Sequence, residues 1–304
     1  MTGKCADQVV LDMWHVVGAV EDMVPAKVKL TQLLGEPVAL ARDGSGNIHA
    51  WRPAPGLRHG QRFEPELASS PLPVKLAFGY VWTSLGTPKP DLFPIPEYAE
   101  PDRRNVHCAT FQVHVSAPRA VENFLDMGHF PFVHTNYLGI EEKPEVKDYT
   151  VEISAERDEV LATKCKFFQP MAALSATGGM EVEYIYRVPH PYCAILYKSC
   201  PADETRLDVI TIFLQPLDEE HVAANLLMSI VDHDSTDTAI KAFQQKIFGQ
   251  DKPILENQIP KRLPLDPRAE MPVRADKSSI SYRRWLTGKG ITYGTIPAAD
   301  ATAA

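Results

Sequence analysis

The spacing of hydrophobic positions changes twice along the chain, and these changes divide it into three zones. Residues 1–103 carry short apolar runs broken by Gly and Pro, such as Glu36-Pro37-Val38-Ala39-Leu40-Ala41 followed by Asp43-Gly44-Ser45-Gly46-Asn47. Turn signals at this density predict small strands. The proline-rich pieces Thr87-Pro88-Lys89-Pro90 and Phe93-Pro94-Ile95-Pro96 read as the linker that closes this unit.

Residues 104–290 are more regular. Residues 106–115 are strand-like, and Ser116-Ala117-Pro118 then offers a capping Ser and a first-turn Pro, which predicts a helix over residues 119–128. Further on, Leu161, Thr163, Cys165 and Phe167 alternate with Val160, Ala162, Lys164 and Lys166. Val182, Tyr184, Tyr186 and Val188 alternate with Glu181, Glu183, Ile185 and Arg187. A period of two with one polar face predicts an antiparallel sheet, and the runs at 194–198, 207–214 and 222–231 extend it. Residues 238–248 return to helical spacing through Ile240, Phe243, Ile247 and Phe248. Gly249 is expected to end that helix, with Asp251-Lys252-Pro253 starting another. The small-residue segment 291–304 is expected to be a disordered tail. Strands flanked by helices give an α+β domain, with helices covering one face of a curved antiparallel sheet.

Composition narrows the function. The 304 residues suffice for one large domain or two ordinary ones, and 44% hydrophobic with 23% charged residues excludes disordered and fibrous classes. A formal charge of −8 argues against a nucleic-acid partner. Proline, at 26 residues, is well above the usual ~5% and favours turns over long helices. The five cysteines, Cys5, Cys108, Cys165, Cys193 and Cys200, are odd in number, irregularly spaced and form no C-x-x-C. They therefore read as reduced thiols in a cytoplasmic protein, with neither a disulfide framework nor a zinc knuckle. The N-terminus lacks the apolar core of a secretory signal, and the longest apolar run, near 222–231, falls short of the roughly 18 residues that span a bilayer.

The densest chemical signal lies between Glu122 and His134. Asn123, Asp126 and His129 are spaced i, i+3, i+6 and would share one helix face. His134 follows five residues after His129, which on an unbroken helix rotates it by roughly 140° off that face. Gly128 and Pro131 are expected to break the helix and let both imidazoles reach one point. Two histidines with one carboxylate form the facial triad of non-haem iron, which leaves positions open for O2 or substrate. Histidines among aromatics are also ordinary core residues, but N-x-x-D-x-x-H-x4-H is far more restrictive than a lone pair.

That run resembles the iron signature of the Rieske non-haem iron oxygenases. The resemblance implies a helix-grip catalytic domain, Fe(II) held by His129 and His134, and a third ligand at the start of a late helix, where Asp251 stands; without it, Asp251 reads as a helix N-cap. It also implies that Asp126 bridges electrons to a ligand histidine, with Asn123 beside it. Met13-Trp14-His15-Val16-Val17 resembles the opening of the family's N-terminal domain and Gly79-Tyr80-Val81-Trp82 its closing strand. Asp276-Lys277 through Tyr282-Arg283-Arg284-Trp285-Leu286, with Asp251-Lys252-Pro253, is similar to the N-demethylase branch, which includes the methylxanthine demethylases.

One departure is decisive. A Rieske [2Fe–2S] cluster needs two Cys and two His, yet no cysteine lies between Met13 and Trp82. His49 and His59 alone cannot hold it. Residues 1–103 are therefore expected to be a degenerate, cluster-less remnant ahead of a catalytic domain at 104–290. Within the N-demethylase branch this resembles the cluster-less N7-demethylase components. The resemblance then implies a Rieske-bearing NADH reductase as electron donor, a glutathione-S-transferase-like partner subunit, a homotrimeric core, and oxidation of 7-methylxanthine to xanthine and formaldehyde. Two other readings stand beside it: a non-catalytic assembly subunit, and a zinc hydrolase using the same ligands. A related oxygenase acting on another methylated aromatic is a third. Phe167, Phe168, Met180, Tyr184 and Phe213 are aromatic or methionine positions suited to a pocket or to a core, and none is assigned.

Overall fold

A computed structural model describes residues 4–89, 91–171 and 178–298. Pro90 of the expected linker and residues 299–304 of the expected tail lie outside that range. After a short helix α1 (Gln8–Leu11), six strands form two small sheets: β1 (His15–Ala19), β2 (Val28–Leu33), β3 (Glu36–Arg42), β4 (Ile48–Trp51), β5 (Val74–Ala77) and β6 (Tyr80–Thr83). Their orders are β1-β6-β5 and β2-β3-β4.

The rest of the chain builds on a seven-stranded antiparallel sheet. Its strands are β7 (Arg104–Val113), β8 (Thr150–Ser154), β9 (Glu159–Gln169), β10 (Met180–His190), β11 (Cys193–Ser199), β12 (Leu207–Pro216) and β13 (Val222–Ile230), in the order β7-β13-β12-β11-β10-β9-β8. Helices α2 (Ala117–Leu125) and α3 (Phe130–Val133) follow β7, α4 (Asp237–Asn257) follows β13, and α5 (Lys277–Lys289) comes last.

The sheet is covered on both faces. On one side Trp14, Val16, Tyr80 and Trp82 of the N-terminal unit pack against Ile195, Tyr197, Val209, Phe213 and Leu227. On the other, Val121 and Leu125 of α2, Ile240 and Leu255 of α4 and Trp285 of α5 join Leu196, Ile212 and Leu226 in a single cluster. Double coverage explains why 222–231 is the longest apolar run, since a strand buried on both faces has no polar phase to show. At β10, nearer the edge, the alternation survives: Val182, Tyr184, Tyr186 and Val188 are buried and the residues between them are not.

Four expectations change. The alternation in β9 shifts phase, so that Val160 and Ala162 are buried together with Cys165 and Phe167. The cause is a bulge: pairing with β10 slips between Tyr184 and Tyr186, and Lys164 takes a φ of 60°. Helix α2 stops at Leu125 rather than at 128, because the carboxylate of Asp126 captures the Gly128 N–H at 2.7 Å and turns the backbone extended.

Gly249 does not end α4, which runs on through Gly249 and Pro253. Gly and Pro inside a helix cost about 1 and 3 kcal/mol. The buried stripe Ile240, Gln244, Ile247, Phe248, Asp251 and Leu255 crosses both, and each large apolar side chain kept buried contributes about 1.5–3 kcal/mol. The stripe prevails, and Asp251 lies inside a helix, facing the core, not at a helix start. Finally, residues 291–296 pack instead of trailing: Ile291, Tyr293 and Thr295 are buried, and β15 (Thr295–Ile296) pairs in parallel with β14 (Leu263–Pro264).

A buried charge network fixes α2 to α5. The Arg119 guanidinium donates to Glu122 at 2.8 Å and to Glu270, and the Arg283 guanidinium donates to Glu122 at 2.7 Å and to Glu270. Two cations meet two anions, so the group is neutral as well as saturated with hydrogen bonds, as buried charges require. The end of α2, where Asp126 sits, is thereby held in place.

Candidate metal centre

The histidines at 129 and 134 occupy the two ends of α3: His129 is its N-cap residue and His134 its C-cap. Pro131, expected to break a longer helix between them, instead lies in the first turn of this short one, where its missing N–H has no partner to lose. One turn of helix therefore aims both imidazoles at one point, with Nε2 atoms 3.2 Å apart. Asp251 enters from α4, placing Oδ1 3.3 Å from His129 Nε2 and 3.1 Å from His134 Nε2. His129, His134 and Asp251 form a group whose ligand atoms all lie within 4.8 Å of one another.

The second nitrogen of each ring is held. His129 Nδ1 is 3.0 Å from Asp126 Oδ2, and His134 Nδ1 is 3.0 Å from Gln250 Oε1. Carboxylate and amide oxygens only accept, so both Nδ1 atoms must donate, which leaves the neutral rings with lone pairs on Nε2. Two lone pairs and a carboxylate oxygen then face one another, and Asp251 Oδ1 is buried without a hydrogen-bond partner among the described residues. Such a group attracts a cation. Burial disfavours a charge on His129, yet the Asp126 and Asp251 carboxylates outweigh it and push the imidazole up to about 9. Burial likewise opposes ionisation of Asp251, but the two imidazoles hold it below the usual carboxylate range. The donor set, nitrogen twice and oxygen once, fits a mononuclear non-haem iron.

The loop after α3 keeps the geometry. Asn136 adopts a φ of 69°, and its N–H donates to the Gly139 carbonyl at 2.9 Å. A Cβ on Gly139 would lie 2.7 Å from Pro131 N and 2.8 Å from its Cα. Gly139→Ala must therefore displace backbone between the two histidines. We expect a loss of about 10- to 100-fold in metal affinity with an unchanged circular dichroism spectrum. Metal titration checks this, and an unaltered affinity would mean that the loop yields harmlessly.

A cavity opens beside the three donors, between the helices and the sheet. Phe124, Phe130, Leu138 and Phe248 line it from the helical side, and Leu196 and Ile210 from the sheet. Asn123 also lines it. Of the aromatic and methionine positions considered from sequence, Tyr184 lines the cavity, while Phe213 stacks on Phe78 across the sheet. Sequence reasoning missed Gln169, Tyr186, Lys198 and Asp208, which also line it. The missed signal was a polar side chain in phase with the buried positions Cys165 and Phe167 of β9.

Asp126 and His129 also border a second, more polar cleft with Arg119, Glu270, Asp276 and Ser279. The Asp126 side chain is 32% exposed there. Elsewhere, His49 bonds Asp43 at 3.0 Å and His59 accepts from the Leu30 N–H, so neither joins a metal group among the described residues. The five cysteines are buried free thiols. No helix among the described residues is long and apolar enough to cross a membrane.

Residues 113–289 match the family described as vanillate O-demethylase oxygenase C-terminal domain. A probable methylxanthine N7-demethylase, NdmC, from Pseudomonas sp. (strain TJI-51) is 44% identical over 286 residues, covering 94% of this chain and 96% of that relative. Methylxanthine N1-demethylase NdmA of Pseudomonas putida is 27% identical over 73% of this chain and 64% of its own length. Among solved structures, NdmA of Pseudomonas putida CBB5 superposes with a TM-score of 0.71 at 21% identity, covering 92% of this chain and 90% of that one. Dicamba monooxygenase bound to dicamba gives 0.70 at 16% identity, with 92% and 97% covered. At those identities the structural likeness is one of fold.

Proposed function

Because this chain belongs to the Rieske non-haem iron oxygenases, in the company of the methylxanthine N-demethylases, we propose that it oxidatively removes the N7-methyl group of 7-methylxanthine. The observation that carries this reading is the convergence of His129 Nε2, His134 Nε2 and Asp251 Oδ1 at the mouth of a largely apolar cavity. Iron bound by those three residues would supply the activation of O2. Asp126 and Gln250 fix the histidine tautomers. Phe124, Phe130 and Leu138 shape a dry cleft for a flat ring and keep bulk water from the reacting carbon.

In this reading the methyl carbon gains one oxygen atom from O2, the other leaves as water, and two electrons come from NADH. The resulting N-hydroxymethyl group collapses to xanthine and formaldehyde. Residues 1–103 are a remnant without a [2Fe–2S] cluster, so the electrons arrive from a Rieske-bearing reductase. They enter at Asp126, which touches His129 on one side and faces the polar cleft on the other. A glutathione-S-transferase-like partner and a homotrimeric core complete the assembly.

The test is turnover of 7-methylxanthine by iron-loaded protein with NADH, with and without a Rieske-bearing reductase. Formaldehyde and xanthine are expected in equal amounts only when the reductase is present. Activity with no external cluster donor would sink the electron route, and no turnover of any methylxanthine would sink the substrate reading.

A further inference from the structure

Among the described residues, three buried polar atoms without a hydrogen-bond partner belong to residues of the same cavity: Asp251 Oδ1, Gln169 Nε2 and Tyr186 Oη. The metal donor set accounts for the first and leaves the other two unexplained. Gln169 ends β9 and Tyr186 lies in β10, and they are 0% and 1% exposed. Buried polar groups in native interiors are nearly always satisfied, so unpaired ones lining a cavity indicate a ligand that completes them.

Their chemistry defines that ligand. Gln169 Oε1 accepts from the buried Lys198 Nζ at 3.3 Å. This fixes the amide, since the reverse orientation would set an N–H2 group against an ammonium. The unsatisfied end of Gln169 is therefore a donor. Burial, with Tyr184 nearby, keeps the Tyr186 phenol protonated well above its ordinary range, so it too offers an O–H. Leu196, Ile210, Leu226 and Met228 add an apolar surface that suits the face of a flat ring.

We infer that Gln169 and Tyr186 determine substrate specificity, donating hydrogen bonds to the carbonyl oxygens of a planar, imide-type heteroaromatic compound. This rests on the N-demethylase reading and adds to it the groups that recognise the polar edge. A methylxanthine carries two ring carbonyls, whereas a ring of the same shape without them leaves both donors buried and unpaired, which penalises its binding.

The experiment is calorimetric titration of the iron-loaded full-length chain with 7-methylxanthine and with 7-methylpurine, which keeps the ring and the methyl group but lacks both carbonyls. Wild type is expected to prefer 7-methylxanthine. Tyr186→Phe and Gln169→Leu should each lose about 10-fold in affinity for it, and leave 7-methylpurine within about 2-fold. Gln169→Glu keeps the acceptor for Lys198 while removing the donor, so it should show the same loss with the Lys198 contact intact. Tyr186→Phe should melt no lower than wild type without ligand, since its hydroxyl has no internal partner. Unchanged 7-methylxanthine affinity in Tyr186→Phe and Gln169→Glu would overturn the assignment and leave the demethylase reading intact. A wild type that binds no methylxanthine would overturn both.

Discussion

His129→Ala is expected to take the protein from about one iron per chain to none and turnover to background, with the fold retained. The expectation follows from geometry. Of the three donors, His129 alone is also held by a carboxylate outside the set, Asp126 at 3.0 Å, and it borders both clefts. Removing its imidazole leaves one nitrogen and one oxygen, too few for a stable mononuclear site. Metal analysis and far-ultraviolet circular dichroism on the same preparation check it. A variant that still holds about one iron and turns over would show that the metal sits elsewhere. A wild type that prefers zinc and works without O2 would favour a hydrolase.

Asp126→Asn should separate holding iron from using it. Both oxygens of the carboxylate are engaged, Oδ1 by the Gly128 N–H at 2.7 Å and Oδ2 by His129 Nδ1 at 3.0 Å. Asparagine has a single acceptor oxygen, so it can keep the turn or the histidine tautomer but not both. The negative charge beside the imidazole also disappears. We expect reductase-dependent turnover to fall by about 100-fold or more, while iron content under saturating metal and the affinity for 7-methylxanthine stay near wild type. Iron lost in step with activity would make Asp126 a mere prop for His129. Activity above about a tenth of wild type would remove the proposed electron route.

How much could be read from the chain follows from how far apart the relevant residues are. His129 and His134 are five residues apart, so their approach depends on one local turn, and sequence spacing could express it. Asp251 is over a hundred positions away on another helix, and composition alone could not bring it to them; resemblance supplied it. The helix breaks were misplaced because local propensity competes with longer-range burial. At Asp126 a side chain captured a backbone N–H and ended α2 early, and at Gly249 a buried stripe carried α4 past two poor helix formers. The bulge at Lys164 shifts only the first half of β9, and Gln169 continues the buried phase of Cys165 and Phe167, where a polar side chain was the one sign passed over.

On one face of the central sheet the N-terminal unit lays Trp14, Val16, Tyr80 and Trp82 against Ile195, Tyr197, Val209, Phe213 and Leu227. Its upkeep therefore does not depend on any redox role. The strands that carry these side chains keep Ile195, Tyr197 and Phe213 out of water, so the fold itself holds them in place whatever chemistry the unit performs.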